Sequence, residues 1–163
     1  MILPVPRHGK YHYDTASIKE EPMVVATREQ LDQVVDEHFV FEANDDLEGV
    51  MNSLGERVRH EVIPSPVGEL TEKSDIRSYY ASLFKSVRGE SVTPLKRYYG
   101  DDFLIDETLW SGYVEDGAPF LCDGKEGPVS FRLLHVFEVK DGKIAREQVW
   151  CDLAAIQKQL GSE

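Results

Sequence analysis

The segment from Phe131 to Asp152 constrains this chain more than any other. Two β-rich runs, Phe131 to Val139 and Ile144 to Asp152, flank Asp141-Gly142. An Asp-Gly pair between such runs is a strong hairpin signal, because both central residues of a tight turn must take positive φ. The hairpin also carries His135, Glu147, Trp150 and Asp152 among apolar residues. A purely structural hairpin rarely places that set beside a core, so a ligand cavity is expected here.

Length and charge narrow the possibilities. At 163 residues the chain is the size of one domain with its own core. Its net charge of −12 disfavours nucleic acid and anionic membrane surfaces, both of which require clustered Lys and Arg. No apolar run is long enough to span a bilayer, and Met1 to Arg7 lacks the regions of a signal peptide. Cys122 and Cys151 form neither a disulfide framework nor a zinc spacing. Two buried thiols suit a reducing cytoplasm.

Residues 1–26 read as an N-terminal arm, broken by Pro4, Pro6 and Pro22 and bearing Tyr11, His12 and Tyr13. One domain follows over 27–163. Thr27-Arg28-Glu29-Gln30 is a capping box, and Leu31, Val34, Val35, His38 and Phe39 recur at helical spacing after it. A second helix is expected from Asp45 or Asp46 to Leu54, closed by Gly55. A strand is expected from Arg57 to Ile63, ending at Pro64-Ser65-Pro66. A third helix is expected from Ser74-Asp75 to Gly89. Four strands follow, at Ser91–Tyr99, Asp102–Glu115, Val129–Val139 and Lys143–Asp152, and then a closing helix from Leu153 to Leu160. Helices first and antiparallel strands later indicate an α+β domain, with helices on one face of a curved sheet.

From about residue 27 to 161 the chain resembles the nuclear transport factor 2-like superfamily, and within it the SnoaL-like group. The matching residues are Phe41 to Leu47, His60 before Pro64, Ile76 to Tyr80, Asp106-Glu107 with Trp110 and Gly112, Asp141 to Ile144, and Asp152 with Gln159-Leu160-Gly161. The resemblance implies a cone-shaped α+β barrel, its curved antiparallel sheet enclosing a mainly apolar pocket under helices on its concave face. It also implies a homodimer through the outer sheet face, where Leu134 and Val136 would lie. Members include ketosteroid isomerase, polyketide cyclases, epoxide hydrolases, dehydratases and non-catalytic binding modules, so the fold leaves the activity open.

A pocket enzyme of this kind needs a base for a carbon-bound proton and donors for the resulting oxyanion. The resemblance to the isomerase puts His38 at its first-helix tyrosine and His135 near its strand aspartate. Its aspartate base falls between His60 and Ile63, where only His60 or Glu61 could serve. Steroid isomerisation is therefore not expected. His135 is the leading candidate, because it interrupts the apolar face of Phe131, Leu133, Phe137 and Val139. Tyr80, Trp110 and Trp150 are further expected pocket residues.

The partner of His135 depends on the turn. A two-residue type I′ turn puts it opposite Gln148, with Trp150 facing Leu133 and Asp152 facing Phe131. A type I turn with a glycine bulge puts it opposite Glu147 as a His–carboxylate dyad. Asp152 reads either as an acid at the pocket rim or as the N-cap of the closing helix. Glu147 is otherwise a solvated edge charge. No metal site and no cofactor are expected. The leading reading is a cofactor-independent isomerase, cyclase or dehydratase acting on a hydrophobic carbonyl compound by acid–base proton transfer. The alternatives are a binding protein for a small apolar ligand and an assembly module.

Overall fold

In the computed structural model of the protein, residues 26–161 are described. The expected N-terminal arm lies outside them, apart from Ala26, whose N–H donates to the Asp101 carbonyl at 2.8 Å. The elements run α1 (Arg28–Ala43), α2 (Leu47–Ser53), β1 (Leu54–Ile63), α3 (Lys73–Ser86), β2 (Val87–Tyr99) and β3 (Phe103–Val114). A 3-10 turn at Ala118–Phe120 leads into β4 (Gly127–Lys140), β5 (Lys143–Cys151) and α4 (Leu153–Gln159).

The α+β reading holds. The capping box forms at α1: the Thr27 hydroxyl accepts from the Gln30 N–H, and the Gln30 side chain accepts from the Thr27 N–H. Two expected loops do not exist. Helix α2 passes straight into β1 at Leu54, and α3 into β2 at Val87. Gly55 and Gly89, expected to close helices, are strand residues, since the next strand's pairing captures the chain first.

The sheet order is β1-β5-β4-β3-β2. Four strands form an antiparallel meander, and β1 adds to β5 in parallel. The sheet is therefore mixed rather than wholly antiparallel, and it stays open instead of closing into a barrel. Pro94 sits in the edge strand β2 next to a bulge, where a missing N–H is tolerated.

The final hairpin takes neither expected register. Asp141 and Gly142 both have positive φ, 53° and 70°, as a type I′ turn requires. Lys140 faces Lys143 and Val139 faces Ile144, but the ladder then shifts, so that Glu138 faces Arg146. Beyond this bulge Phe137 faces Glu147, His135 faces Val149 and Leu133 faces Cys151. The extra residue turns Glu147, Val149 and Cys151 to the inner face and Trp150 to the outer one.

Two apolar clusters hold the layers together. Leu31, Val35, Val50, Ile76 and Tyr80 from the first three helices meet Leu104, Phe137 and Ile144 on the sheet. At the other end, Ile156 and Leu160 cover Val114, Val129 and Phe131. The Gln159 side chain pairs with both backbone groups of Ser130, which anchors this helix to the sheet.

Candidate active site

A cavity of about 1000 Å³ lies between the inner face of the sheet and helices α1 and α3. Its walls are largely apolar, with Leu83, Phe84, Trp110, Phe131 and Leu133 among them. Gly112 gives Trp110 its place: a Cβ there would sit 2.4 Å from the indole ring and 2.3 Å from the Arg88 carbonyl.

The polar groups come from two neighbouring rows of the sheet. In one, Phe137, Glu147 and His60 are successive partners across β4, β5 and β1. In the other, Arg97, Asp106, His135, Val149 and Val62 run across all five strands. Each row thus brings one carboxylate and one imidazole to the concave face. His60 is held on both sides, since its backbone also exchanges hydrogen bonds with Leu70 at 2.8 and 2.9 Å.

Glu147 is fully buried and lies at the centre of a cluster. The Tyr80 hydroxyl donates to its Oε2 at 2.7 Å. His38 Nε2 lies 3.5 Å and His60 Nε2 3.9 Å from the same oxygen. His38 Nε2 is also 3.4 Å from Glu42 Oε1, one helical turn further along α1. On the far side of the ring, His38 Nδ1 is 2.7 Å from the Ser53 hydroxyl, which itself donates to the Val50 carbonyl at 2.6 Å. With the Ser53 hydrogen so committed, Nδ1 must carry a proton and Nε2 must face the carboxylates.

Burial opposes charge at His38, but the Glu147 and Glu42 carboxylates outweigh it and raise its pKa to about 10. Burial likewise opposes charge on Glu147, yet the neighbouring imidazoles, His38 foremost, hold it below the usual carboxylate range. Burial lowers the pKa of His60, so its ring is neutral near pH 7. Burial, reinforced by Glu147 and Glu42, keeps Tyr80 a phenol.

His135 is held by aromatics. Its ring stacks on Phe137 at 5.5 Å and meets Phe39 edge-on at 5.2 Å. Its cross-strand neighbour Asp106 accepts from Arg97 Nε at 2.8 Å, while the same guanidinium reaches Asp32 at 2.5 Å and Asp36 at 2.9 Å on α1. Several buried polar atoms on the cavity wall have no hydrogen-bond partner: both ring nitrogens of His60, His135 Nδ1, Glu147 Oε1 and Asp106 Oδ2.

Of the residues singled out in the sequence, His60, Tyr80, Trp110, Phe131, Leu133, His135 and Glu147 line the cavity. His38 and Phe137 stand behind that wall, fully buried. Two residues lie elsewhere. Trp150 is on the outer face and 47% exposed, because the bulge inverts its parity. Asp152 caps α4, its carboxylate accepting from the Ala155 N–H at 3.0 Å. Glu107 points outward to an ion pair with Arg132. Asp106 and Glu42 were missed as site residues. The i,i+4 spacing of His38 and Glu42, and the shared parity of Asp106 with Trp110, were the available signals.

This architecture agrees with the fold of known relatives. The SnoaL-like domain model matches residues 29–147, and the chain belongs to that family. The solved structures it is similar to are nuclear transport factor 2-like folds. One, named as a SnoaL-like polyketide cyclase from Jannaschia sp. CCS1, superposes with a TM-score of 0.71 at 14% identity, covering 89% of this chain and 99% of that one. An LEH-like epoxide hydrolase from M. tuberculosis gives 0.63 at 17% identity, covering 81% and 90%. An NTF2-like protein from Burkholderia thailandensis E264 gives 0.61 at 18% identity, covering 78% and 95%. No curated protein sequence matches the chain.

Proposed function

We propose that this protein is a small-molecule enzyme that moves a carbon-bound proton in a hydrophobic carbonyl compound, in an isomerisation, cyclisation or dehydration. The carrying observation is the set of buried, unpartnered polar atoms of His60, His135, Asp106 and Glu147 on the wall of an otherwise apolar cavity. Buried polar atoms are ordinarily satisfied, so a ligand with its own polar groups suits this wall.

In this reading His135 is the base and takes the proton α to the carbonyl. The aromatic contacts hold the ring, and the charge of Asp106, its neighbour across the ladder, stabilises the imidazolium that forms. The electron pair of the broken C–H bond moves to the carbonyl oxygen, and neutral His60 donates an N–H to that oxyanion. Return of the proton from His135 to another carbon, or loss of a leaving group, completes the reaction. The apolar walls take the remainder of the substrate. The names of the structural neighbours span cyclisation and epoxide hydrolysis, so the reading stops at acid–base chemistry.

A second copy of the chain is proposed to cover the outer sheet face, where Trp150 is exposed beside Leu134. We place the protein in the cytoplasm on the strength of two thiols outside any disulfide.

The test is hydrogen–deuterium exchange at the α-carbon of a panel of cyclic ketones and β-diketones, followed by NMR in D₂O. Wild type is expected to accelerate exchange for at least one compound, and His135→Ala to lose that acceleration. Saturable binding with no exchange for any compound bound would replace the enzyme reading with the binding-protein one.

A further inference from the structure

We propose that His38, Glu42 and Glu147 bind a first-row divalent cation, zinc being the best fit, on the α1 side of the cavity. The inference rests on the proposed function only for the ion's purpose; the site itself stands on geometry.

One ligand atom from each of the three residues lies within 4.8 Å of the other two. The two separations from His38 are what a shared ion requires. Nitrogen and oxygen ligands about 2.1 Å from zinc at a tetrahedral angle lie roughly 3.4 Å apart. His38 Nε2 is 3.4 Å from Glu42 Oε1 and 3.5 Å from Glu147 Oε2. Direct imidazolium–carboxylate hydrogen bonds are shorter, at about 2.7–2.9 Å. Neither carboxylate sits at that distance from Nε2, although one proton there could serve only one of them well. A divalent ion that displaces this proton to solvent serves both, and two carboxylates balance its charge.

The surroundings also suit metal ligation. A ligating imidazole is oriented by a hydrogen bond from its other nitrogen, and Ser53 accepts that bond from His38 Nδ1 at 2.7 Å. The Tyr80 hydroxyl donates at 2.7 Å to Glu147 Oε2, the ligating oxygen itself, and holds that carboxylate in place. Independently, two buried side chains have unpartnered atoms at this spot: Glu147 Oε1, and both nitrogens of His60, which is 1% exposed. His60 Nε2 is 3.9 Å from Glu147 Oε2, on the cavity side, beside the open fourth position of a three-ligand ion. A substrate carbonyl oxygen placed there would be polarised by the ion and would meet the His60 N–H.

The experiment uses the full chain, stripped of metal with a chelator and then titrated with Zn²⁺ by calorimetry. Bound metal is counted by elemental analysis after dialysis. One equivalent per chain is expected, and Co²⁺ in its place should show the intense visible absorption of a tetrahedral site. Glu147→Gln and Glu42→Gln should each weaken binding at least tenfold, and Ser53→Ala by about 10-fold as the loss of an orienting bond. Should Glu147→Gln fail to fold, Glu42→Gln decides, because Glu42 is partly exposed and carries little of the core. No stoichiometric binding by wild type, or unchanged affinity in Glu42→Gln, overturns the site. His135→Ala separates the two proposals: it should abolish α-carbon exchange and leave zinc binding intact. Exchange without zinc binding removes the ion alone, and zinc binding without exchange removes the enzymatic reading alone.

Discussion

Asp106 and His135 are direct partners across the β3–β4 ladder, both turned to the concave face and both buried. The same row puts Arg97 on the far side of Asp106, so the carboxylate stands between a guanidinium and an imidazole. One Asp106 oxygen is taken by Arg97 and the other, Oδ2, has no partner. His135 Nδ1 likewise has no partner, so these two atoms are not joined by a hydrogen bond and both remain open to a ligand.

His135→Ala is expected to lower turnover by about 100-fold or more, the usual scale for a lost base, with the fold intact. The imidazole packs between Phe39 and Phe137, which remain in contact with each other at 5.5 Å. Steady-state rates on a substrate found by the exchange screen, with circular dichroism as the fold control, check this. Asp106→Asn should lower kcat without raising KM if Asp106 acts through His135. A rise in KM alone would make it a binding residue.

Arg97→Ala should destabilise the protein by about 3 kcal/mol, since it leaves the Asp106 carboxylate buried without its cation. Arg132→Ala removes an ion pair in which Arg132 is 62% exposed, and should cost under about 1 kcal/mol. Urea unfolding of both variants compares them directly. Equal losses would mean that the Arg97 network contributes no more than a surface pair.

Asp152→Ala should cost about 1 kcal/mol, the usual loss of an N-cap, and leave turnover unchanged. A large fall in kcat without a change in melting temperature would return Asp152 to the chemistry.

Trp150→Glu should convert a dimer into a monomer at micromolar concentration in analytical ultracentrifugation. Exposed Trp150 and half-buried Leu134 and Ile63 are aligned on the outer face, and an apolar row of this kind is a candidate subunit contact. A wild-type monomer under the same conditions would remove the dimer.

Alkylation of Cys151 should be slow at pH 8. Burial pushes its thiol upward, with the Asp152 charge adding to the effect, so little thiolate is present. Iodoacetamide labelling of native protein, measured against urea-unfolded protein, reads the difference. Equal rates would show that the thiol is open to solvent.

Local signals were legible in the sequence because they depend on residues a few positions apart. The Thr27–Gln30 capping box, the Asp141-Gly142 turn and the inward face of Phe131, Leu133, His135 and Phe137 all belong to this class. The family resemblance extended that reading to the fold. What the chain alone left open was decided by contacts between distant segments. A single bulge after the turn turned Glu147 inward and Trp150 outward, and a hairpin sequence permits several registers whose difference lies in packing, not in the turn. The parallel pairing of β1 with β5 set His60 beside Glu147, 87 positions away. Helix α1, laid over that pair, brought His38 and Glu42 to the same carboxylate. Local sequence sets turns, caps and the period of burial. Which acid meets which imidazole is set by the register and layering of the whole sheet, because burial of the common core selects them together.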